Sequence, residues 1–243
     1  MQRSAFYRGE SLGAPCQSAN MSDYVIRLYK DSDYDVSRDL FAEGLVEHTN
    51  KAFQHAIRLP HIWLPVLAVL LLPALNLLSI AMSILMAVTA IVVVYYCSRY
   101  MYTSYIDYSL SDDMLDIRKY YLQREGYSFW VAESTSGEVM GTIAALPSSD
   151  PGGEKHLELR RLSVAKHHRG KGIGSVLCRT LIDFARKRGY EAVVLTTTLS
   201  QVNAQKMYEK LGFRHTQTLY LLGPLSKVLG FSFLAYKYDI PAA

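Results

Sequence analysis

The chain has 243 residues, of which 50% are hydrophobic and 20% are charged, and its net charge is +4 at pH 7. This length corresponds to one or two domains. So small a basic excess is not typical of nucleic-acid-binding proteins, and we expect no nucleic acid among the partners. The sequence has no repeat, low-complexity tract or block of like charge, which excludes collagen, coiled coils, solenoids and disordered hubs.

The first predicted elements lie at residues 23–61. Residues 1–22 before them are polar and without pattern, and they predict a flexible segment rather than a signal peptide. Apolar and β-branched residues over Tyr24–Tyr29 then predict a strand. Asp31 to Asp35 supply turn and N-cap chemistry for a helix that runs to about His48. We expect these elements to open a folded domain.

The run from Ile62 to Ser98 contains no Asp, Glu, Lys or Arg. It is far longer than the ~18 apolar residues that indicate a membrane segment, although a buried hairpin in a soluble core is the alternative. Pro73 and Asn76 near its middle predict a turn between two helical limbs of about 18 residues each, which enter the membrane and return. Arg58 and Arg99 flank the run, so both ends are expected to face the cytoplasm.

Residues 99–243 predict alternating helices and strands. We expect a helix at 112–124, strands at 129–132, 139–144 and 157–164, a helix at 172–188, a strand at 192–197, a helix at 201–211, and strands at 219–222 and 231–236. This order is typical of one mixed α/β domain, interrupted by the hydrophobic insert at 62–98.

Cysteine and histidine positions argue against a metal or a disulfide framework. Cys16, Cys97 and Cys178 are odd in number and widely separated, which is typical of a reducing compartment. His167 and His168 have no further ligand at metal-site spacing in the sequence. We therefore expect no metal, and we interpret the two histidines as loop residues.

A glycine-rich motif, Arg169-Gly170-Lys171-Gly172-Ile173-Gly174, lies between a predicted strand and a predicted helix. Glycines let backbone N–H groups approach an anion, and the helix N-terminus adds partial positive charge. A pyrophosphate suits this chemistry, and a solvated surface turn is the alternative. Walker and dinucleotide motifs are excluded, because Ser175 and Leu177 stand where a dinucleotide motif requires glycine and no Gly-Lys follows Walker spacing.

The motif Arg169-x-x-Gly172-x-Gly174 resembles the Q/R-x-x-G-x-G/A signature of the GCN5-related N-acetyltransferases. A second signature of that superfamily is matched by Ala204, Tyr208, Gly212 and Phe213, whereas Gln201 stands where asparagine is usual. The resemblance implies an α/β fold with a mixed, mostly antiparallel sheet whose central strands splay. It also implies that acetyl-CoA binds with its pyrophosphate on the glycine loop and its pantetheine between the splayed strands.

The hydrophobic insert narrows this resemblance. Together with Tyr105-Ile106-Asp107, Ser111-Asp112-Asp113-Met114-x-Asp116-Ile117 and Phe129-Trp130-Val131-Ala132, it is similar to the camello or N-acetyltransferase 8 family over residues 24–238. That family implies association with the endoplasmic reticulum. It also implies acetylation of cysteine S-conjugates, of aspartate or of protein lysines.

The resemblance further implies the cofactor site and the acid. Tyr208 is the expected general acid for the departing thiolate, since a phenol has a pKa near 10, although a purely packing tyrosine is the alternative. Backbone N–H groups of Leu162, Ser163 and Val164 are expected to polarise the thioester carbonyl. The remaining cofactor-binding candidates are Arg169, Gly170, Lys171, Gly172, Ile173, Gly174 and Gln201.

The strand before the motif supplies candidates for the acceptor side. Strand alternation places Glu158, Arg160 and Leu162 on one face and Arg161 on the other. Glu158 is a candidate base, and Arg160 and Arg161 are candidates to bind a substrate carboxylate, with solvated surface charges as the alternative. We therefore favour a small amino-acid acceptor, with membrane-protein lysines second and aspartate third. A membrane protein that binds acetyl-CoA without turnover is the remaining alternative.

Overall fold

A computed structural model describes residues 23–150, 152–221 and 223–241. The expected flexible segment at 1–22, including Cys16, lies outside these residues, as does Leu222 of an expected strand.

The described residues form a seven-stranded sheet. The strands are β1 Tyr24–Leu28, β2 Ser128–Ser134, β3 Val139–Pro147, β4 His156–Val164, β5 Ala192–Thr198, β6 Arg214–Leu219 and β7 Phe233–Asp239. Their order in the sheet is β1-β2-β3-β4-β5-β7-β6. β4 and β5 are parallel and all other neighbours are antiparallel, so the mixed, mostly antiparallel sheet implied by the resemblance is confirmed.

Helices cover both faces of the sheet. The helices are α1 Tyr34–Val46, α2 Thr49–Ala56, α3 Pro60–Leu71, α4 Ile80–Ser111, α5 Ile173–Lys187, α6 Val202–Lys210 and α7 Gly223–Val228. One core contains Phe41 of α1, Ala52 of α2 and Met101 of α4. The core on the other face contains Leu177 of α5 and Tyr208 of α6. The sheet therefore lies between two separate apolar cores.

The hydrophobic insert forms a hairpin of unequal helices. α3 has 12 residues, and Asn76 in the left-handed conformation (φ 55°) lies in the turn before α4. Near the N-terminus of α4, the small residues Ser83 and Ala87 are buried. Such small side chains let two helices lie close together. Most other large side chains of the hairpin are exposed: Trp63, Leu64, Leu67, Leu70, Leu71, Leu75, Leu77, Ile80, Met82, Ile84, Leu85, Met86, Val88, Ile91, Val92, Val93 and Tyr96.

α4 continues from the exposed hairpin into the folded domain. Its residues from Ser98 onward include the buried Met101, Tyr102 and Ile106. Within the described residues, α4 is long and apolar enough by itself to cross a membrane, and only 11% of its most apolar window is buried. α3 spans only about 18 Å, at 1.5 Å per residue, so the two limbs are not the equal pair expected from the sequence.

The predicted helix at 112–124 is wrong. α4 extends to Ser111, whose hydroxyl donates to the Asp107 carbonyl at 2.7 Å, and a turn and a short π-helix at 118–122 follow. Met114 and Ile117 are fully buried, whereas Leu115 is 60% exposed. Burial of Met114 and Ile117 and the hydrogen bond from Arg161 of β4 to Asp113 together override the local helical pattern.

The predicted strand at 219–222 is also wrong. The edge strand β6 lies earlier, at Arg214–Leu219, and nearly all its residues are exposed, so it lacks the apolar alternation that identifies a strand. α7 begins at Gly223. The last strand predicted at 231–236 is confirmed as β7, with its bounds shifted to Phe233–Asp239.

Candidate active site

The two parallel strands diverge at their C-terminal ends. β4 and β5 pair from His156 with Ala192 to Leu159 with Leu195, and no further. Beyond this point β5 stays paired with β7 as far as Thr198. Among the described residues, the β5-facing edge of residues 160–164 therefore has no strand partner. The predicted splay of the central strands is confirmed, and Leu162, Ser163 and Val164 border the opening.

A β-bulge reverses the side-chain pattern of β4 inside this opening. Arg161 has a φ of 54°, and the register with β3 shifts between Thr142 and Ala144. Thr142 supports the bulge, because its hydroxyl donates to the Arg161 carbonyl at 3.0 Å. Leu162 consequently packs in the same core as Leu159. The predicted alternation is therefore wrong here, since Leu162 and Arg161 have exchanged faces.

The glycine loop has the backbone conformation that an anion site requires. Gly170 and Gly172 have φ values of 80° and 81°, and Gly172 is the N-cap of α5. A Cβ at either position would meet nothing within 4 Å in the part of the chain that the structure describes, so conformation rather than space requires glycine. α5 presents the N–H groups of its first turn, from Ile173 onward, beside Lys171. This arrangement fits a bound pyrophosphate.

Two further residues of the motif hold the loop in place. Arg169 Nε donates to the Val164 carbonyl at 2.9 Å, and its Nη1 donates to Glu47 Oε2 of α1's C-terminal end at 2.6 Å. Gly174 packs α5 against α6, since a Cβ there would lie 3.1 Å from Met207 Sδ. The Arg169 side chain thus stabilises the loop by binding other residues of the protein.

Tyr208 of α6 is buried in the apolar core against which Leu162 and Val164 pack. Its side chain is only 5% exposed and its ring contacts those of Phe213 and Tyr236. Burial, with a smaller contribution from Cys178, raises the pKa of Tyr208 well above its usual value near 10. The phenol therefore stays protonated at neutral pH, as a general acid must, while the raised pKa makes it a weaker acid than a free phenol.

Glu158 and Arg160 bind each other. Arg160 Nε and Nη2 donate to the two carboxylate oxygens of Glu158 at 2.7 and 2.9 Å. Glu158 pairs with Val194, one residue before the strands diverge. A base at Glu158 would have to act while it is bound to Arg160, or through water.

Arg161 is fully engaged by the protein. Its guanidinium donates to Asp113, to Ser109 Oγ at 3.0 Å and to the Tyr105 hydroxyl at 3.4 Å, and it stacks over Phe41 at 4.6 Å. This arrangement favours a structural role over contact with a substrate carboxylate. Arg160, which is more exposed, is the better candidate for that contact.

Gln201 holds the end of β5. Its Oε1 accepts from the Thr197 hydroxyl at 2.8 Å and from the Thr198 N–H at 3.1 Å. These bonds fix the turn into α6, where the superfamily usually has asparagine. The longer side chain therefore has a structural task in addition to any contact with a cofactor.

Sequence reasoning missed His48, which lies between α1 and α2. Its Nδ1 is buried without a hydrogen-bond partner among the described residues. Burial lowers the pKa of His48, the charges of Lys51 and Arg169 lower it further, and Glu47 raises it. A neutral imidazole close to the glycine loop is a second candidate base. No local pattern marks it, because Arg169 is distant in sequence.

Comparison with known proteins agrees with this geometry. The acetyltransferase (GNAT) family matches residues 96–213. N-acetyltransferase 8 of Rattus norvegicus is 37% identical over 228 residues, which are 92% of this chain and 100% of that protein. N-acetyltransferase 8F1 of the same species is 40% identical over the same shares of both chains.

Solved structures show the same fold at low sequence identity. A GNAT-family acetyltransferase from Staphylococcus aureus superposes with a TM-score of 0.52 at 17% identity, over 90% of this chain and 99% of that chain. A GCN5-related N-acetyltransferase from Kribbella flavida superposes with a TM-score of 0.53 at 16% identity, over 89% and 98%.

Diverging strands beside a glycine-capped helix therefore define a GNAT acetyltransferase, an acyltransferase of a fold that binds acetyl-CoA. Within that class, the chain belongs to the N-acetyltransferase 8 family.

Proposed function

We propose that this protein is a membrane-anchored N-acetyltransferase that moves acetyl from acetyl-CoA to the amino group of a small amino acid, foremost a cysteine S-conjugate. The divergence of β4 and β5, at the core that also contains the buried Tyr208, is the observation that carries the proposal. Acetylation of membrane-protein lysines at the endoplasmic reticulum is the second candidate, and aspartate acetylation is the third.

The cleft fits acetyl-CoA, which supplies the acetyl group as a thioester. The N–H groups at the start of α5 and the side chain of Lys171 would hold the pyrophosphate. The unpaired edge of Leu162, Ser163 and Val164 would hold the pantetheine and polarise the carbonyl. No step in this scheme needs a metal.

The chain's own residues would then manage the protons. The acceptor nitrogen bonds to the acetyl carbon as the carbon–sulfur bond breaks. Tyr208 donates its hydroxyl proton to the departing sulfur, and a base takes one proton from the amine. Glu158, directly or through water, is the base that we propose, and His48 is the alternative. Solvent then reprotonates Tyr208.

The exposed hairpin supports membrane anchoring. Most of its large apolar side chains are exposed, which water would disfavour. β1 precedes the hairpin and β2 follows it, yet the two strands are paired from Tyr24 with Ser134 to Leu28 with Trp130. Both flanks therefore lie on one side of the membrane, for which we propose the cytoplasmic side of the endoplasmic reticulum.

The position of the cleft favours an amphipathic acceptor. Thr198, at the open end of β5, lies 3.2 Å from the hydroxyl of Tyr102 on α4, between their oxygen atoms. A small cavity beside it is lined by Ser98, Ser200 and Phe231, where α4 leaves the exposed hairpin. Molecules at the membrane surface would reach this end of the cleft first.

Acetyl-CoA consumption by the detergent-solubilised full chain tests the acceptor. S-benzyl-cysteine, aspartate and a lysine peptide are offered in parallel, with Tyr208→Phe as the catalytic control. We expect turnover on the cysteine conjugate, reduced in the variant. Turnover on the lysine peptide alone would show that protein lysines are the substrate instead. No turnover on any acceptor would reject all three substrates.

Sidedness tests the anchor separately. Reporters at residues 22 and 243 should face the same side of microsomal membranes, since both flanks join one sheet. Reporters on opposite sides would contradict the hairpin, and full extraction of the protein by alkaline carbonate would contradict membrane insertion.

A further inference from the structure

Three metal-ligating side chains meet beside the glycine loop. Glu138 directly precedes β3, and His167 and His168 lie in the turn that follows β4. Glu138 Oε1 is 2.9 Å from His167 Nε2 and 3.0 Å from His168 Nε2. The possible ligand atoms of all three residues lie within 4.8 Å of one another. The sequence gives no sign of this cluster, because Glu138 is remote from the histidines along the chain.

The cluster is open on one side and supported on the other. The side chains of His167 and Glu138 are 68% and 47% exposed, so an ion from solvent can reach them. His168 is only 14% exposed and is held by the surrounding turn. The two imidazole rings are 4.2 Å apart between centroids, and both direct Nε2 at the same carboxylate oxygen. Two imidazoles and a carboxylate that converge in this way form a donor set typical of zinc.

We propose that Glu138, His167 and His168 bind Zn²⁺, with water as the fourth ligand. Zinc takes nitrogen and carboxylate ligands at about 2.0–2.2 Å, and tetrahedral ligands then lie somewhat more than 3 Å apart. The two hydrogen bonds need to open by only a few tenths of an ångström to admit the ion. All three side chains lie at turns or strand ends, where such a movement leaves both cores in place.

The ion would act on the glycine loop through His168. Lys171 Nζ lies 3.3 Å from His168 Nδ1, which can accept its hydrogen bond only while that nitrogen carries no proton. Zinc on Nε2 of a neutral imidazole places the ring proton on Nδ1, so Lys171 must leave. The released ammonium and the charge of the ion both strengthen the attraction for phosphate. The coupling between zinc binding and phosphate binding rests on the proposed function, whereas zinc binding itself does not.

Titration of the full chain in detergent with Co²⁺ alone, as a visible reporter for zinc, tests the site. We expect one equivalent of Co²⁺ to bind. Its absorption should be that of a tetrahedral complex without a thiolate charge-transfer band, and Zn²⁺ should displace the Co²⁺. Glu138→Gln and His167→Ala should weaken binding by more than about tenfold, since even second-shell losses reach that size. His215→Ala, which removes another exposed histidine, should bind as the wild type does.

Three results would overturn the site. These are no saturable binding, equal binding in Glu138→Gln and His167→Ala, or a thiolate band. Circular dichroism of each variant separates lost ligands from lost folding. Acetyl-CoA should tighten Co²⁺ binding severalfold in the wild type but not in His167→Ala, because coupling is reciprocal. An unchanged Co²⁺ affinity would overturn the coupling, and turnover assayed without metal reports on the proposed function independently.

Discussion

Arg161 of β4 and Asp113, which follows α4, form a buried bidentate ion pair. Arg161 Nε donates to Asp113 Oδ2 at 2.8 Å and Nη2 donates to Oδ1, while the two side chains are 5% and 0% exposed. Ser109 Oγ accepts from Nη1, and the Tyr121 hydroxyl donates to the same carboxylate. The pair joins the inner end of the hydrophobic helix to the bulged strand that borders the cleft.

Loss of the Asp113 carboxylate should destabilise the whole fold. Asp113→Ala leaves a buried guanidinium without its counter-charge, which costs about 3–5 kcal/mol. We expect that loss in the free energy of unfolding, measured with urea in detergent micelles. Asp112→Ala, at the exposed neighbouring position, should change it by less than about 0.5 kcal/mol. Equal stabilities of the two variants would contradict the structural role of the pair.

Removal of the Tyr208 hydroxyl should slow the chemical step. We expect Tyr208→Phe to lower kcat by about 100-fold or more, since general acid catalysis has this size, and to leave the KM for acetyl-CoA nearly unchanged. Tyr236→Phe is the matched control, because its hydroxyl donates to Glu209 at 3.1 Å and has no part in the proposed reaction. A Tyr208→Phe enzyme with wild-type kcat would show that the residue only packs.

The pH profile offers a second readout of Tyr208. Burial raises the pKa of this phenol, so it remains protonated as pH rises through the neutral and mildly alkaline range. The rate should therefore rise with pH as the acceptor amine loses its proton, without an alkaline fall below pH ~10. A descending limb near pH 8 that disappears in Tyr208→Phe would contradict the raised pKa.

Substitution of Gly172 should weaken acetyl-CoA binding specifically. Alanine at a φ of 81° costs roughly 1 kcal/mol, and relief of that strain would turn the N–H groups of the loop away from the anion. We expect Gly172→Ala to raise the KM for acetyl-CoA severalfold. Gly189→Ala, at a φ of 76° after α5, should cost similar stability and leave KM unchanged. Equal KM values for both variants would remove Gly172 from the binding site.

The sequence predicted the parts of the site that depend on local chemistry. Glycines before an amphipathic helix predict a tight turn at the helix N-terminus, which Gly170 and Gly172 form in the left-handed conformation. The spacing from Ala204 to Phe213 places Tyr208 on a short helix closed by a glycine. It did not predict the exchange of Arg161 and Leu162, because a bulge is set by pairing with β3 and leaves no mark in β4 itself. Alternation is reliable only where the register is regular.

Long-range pairing also explains the other unpredicted features. Glu138 meets the histidines only because β3 lies beside β4, and Asp113 meets Arg161 only because α4 packs in the core on one face of the sheet. Both carboxylates occupy turns whose local sequence indicates solvated polar residues. Their partners follow from the topology, which a single sequence does not specify residue by residue.

The edge strand β1 is held by an acid-sensitive cluster. Arg27 donates to both oxygens of Asp33, at 2.7 and 2.9 Å, and to Glu133 of β2. The backbone N–H of Lys30 also donates to Asp33, which is only 3% exposed. Burial by itself would raise the pKa of Asp33, but the hydrogen bonds and charges of Arg27 and Lys30 together outweigh it and lower that pKa.

Stability should therefore fall in acid through Asp33. A carboxyl whose pKa is lower in the folded than in the unfolded chain stabilises the fold above its unfolded pKa, near 4, and this contribution is lost as pH falls through the folded pKa. We expect urea unfolding in micelles to show a steeper loss below pH ~4 for the wild type than for Asp33→Asn, and the variant to be less stable at pH 7. In Arg27→Met, the pKa of Asp33 is set only by burial, which raises it, and by Lys30, which lowers it. The loss of stability in acid should therefore shrink or reverse. An acid slope unchanged by both substitutions would assign the acid sensitivity to other carboxylates.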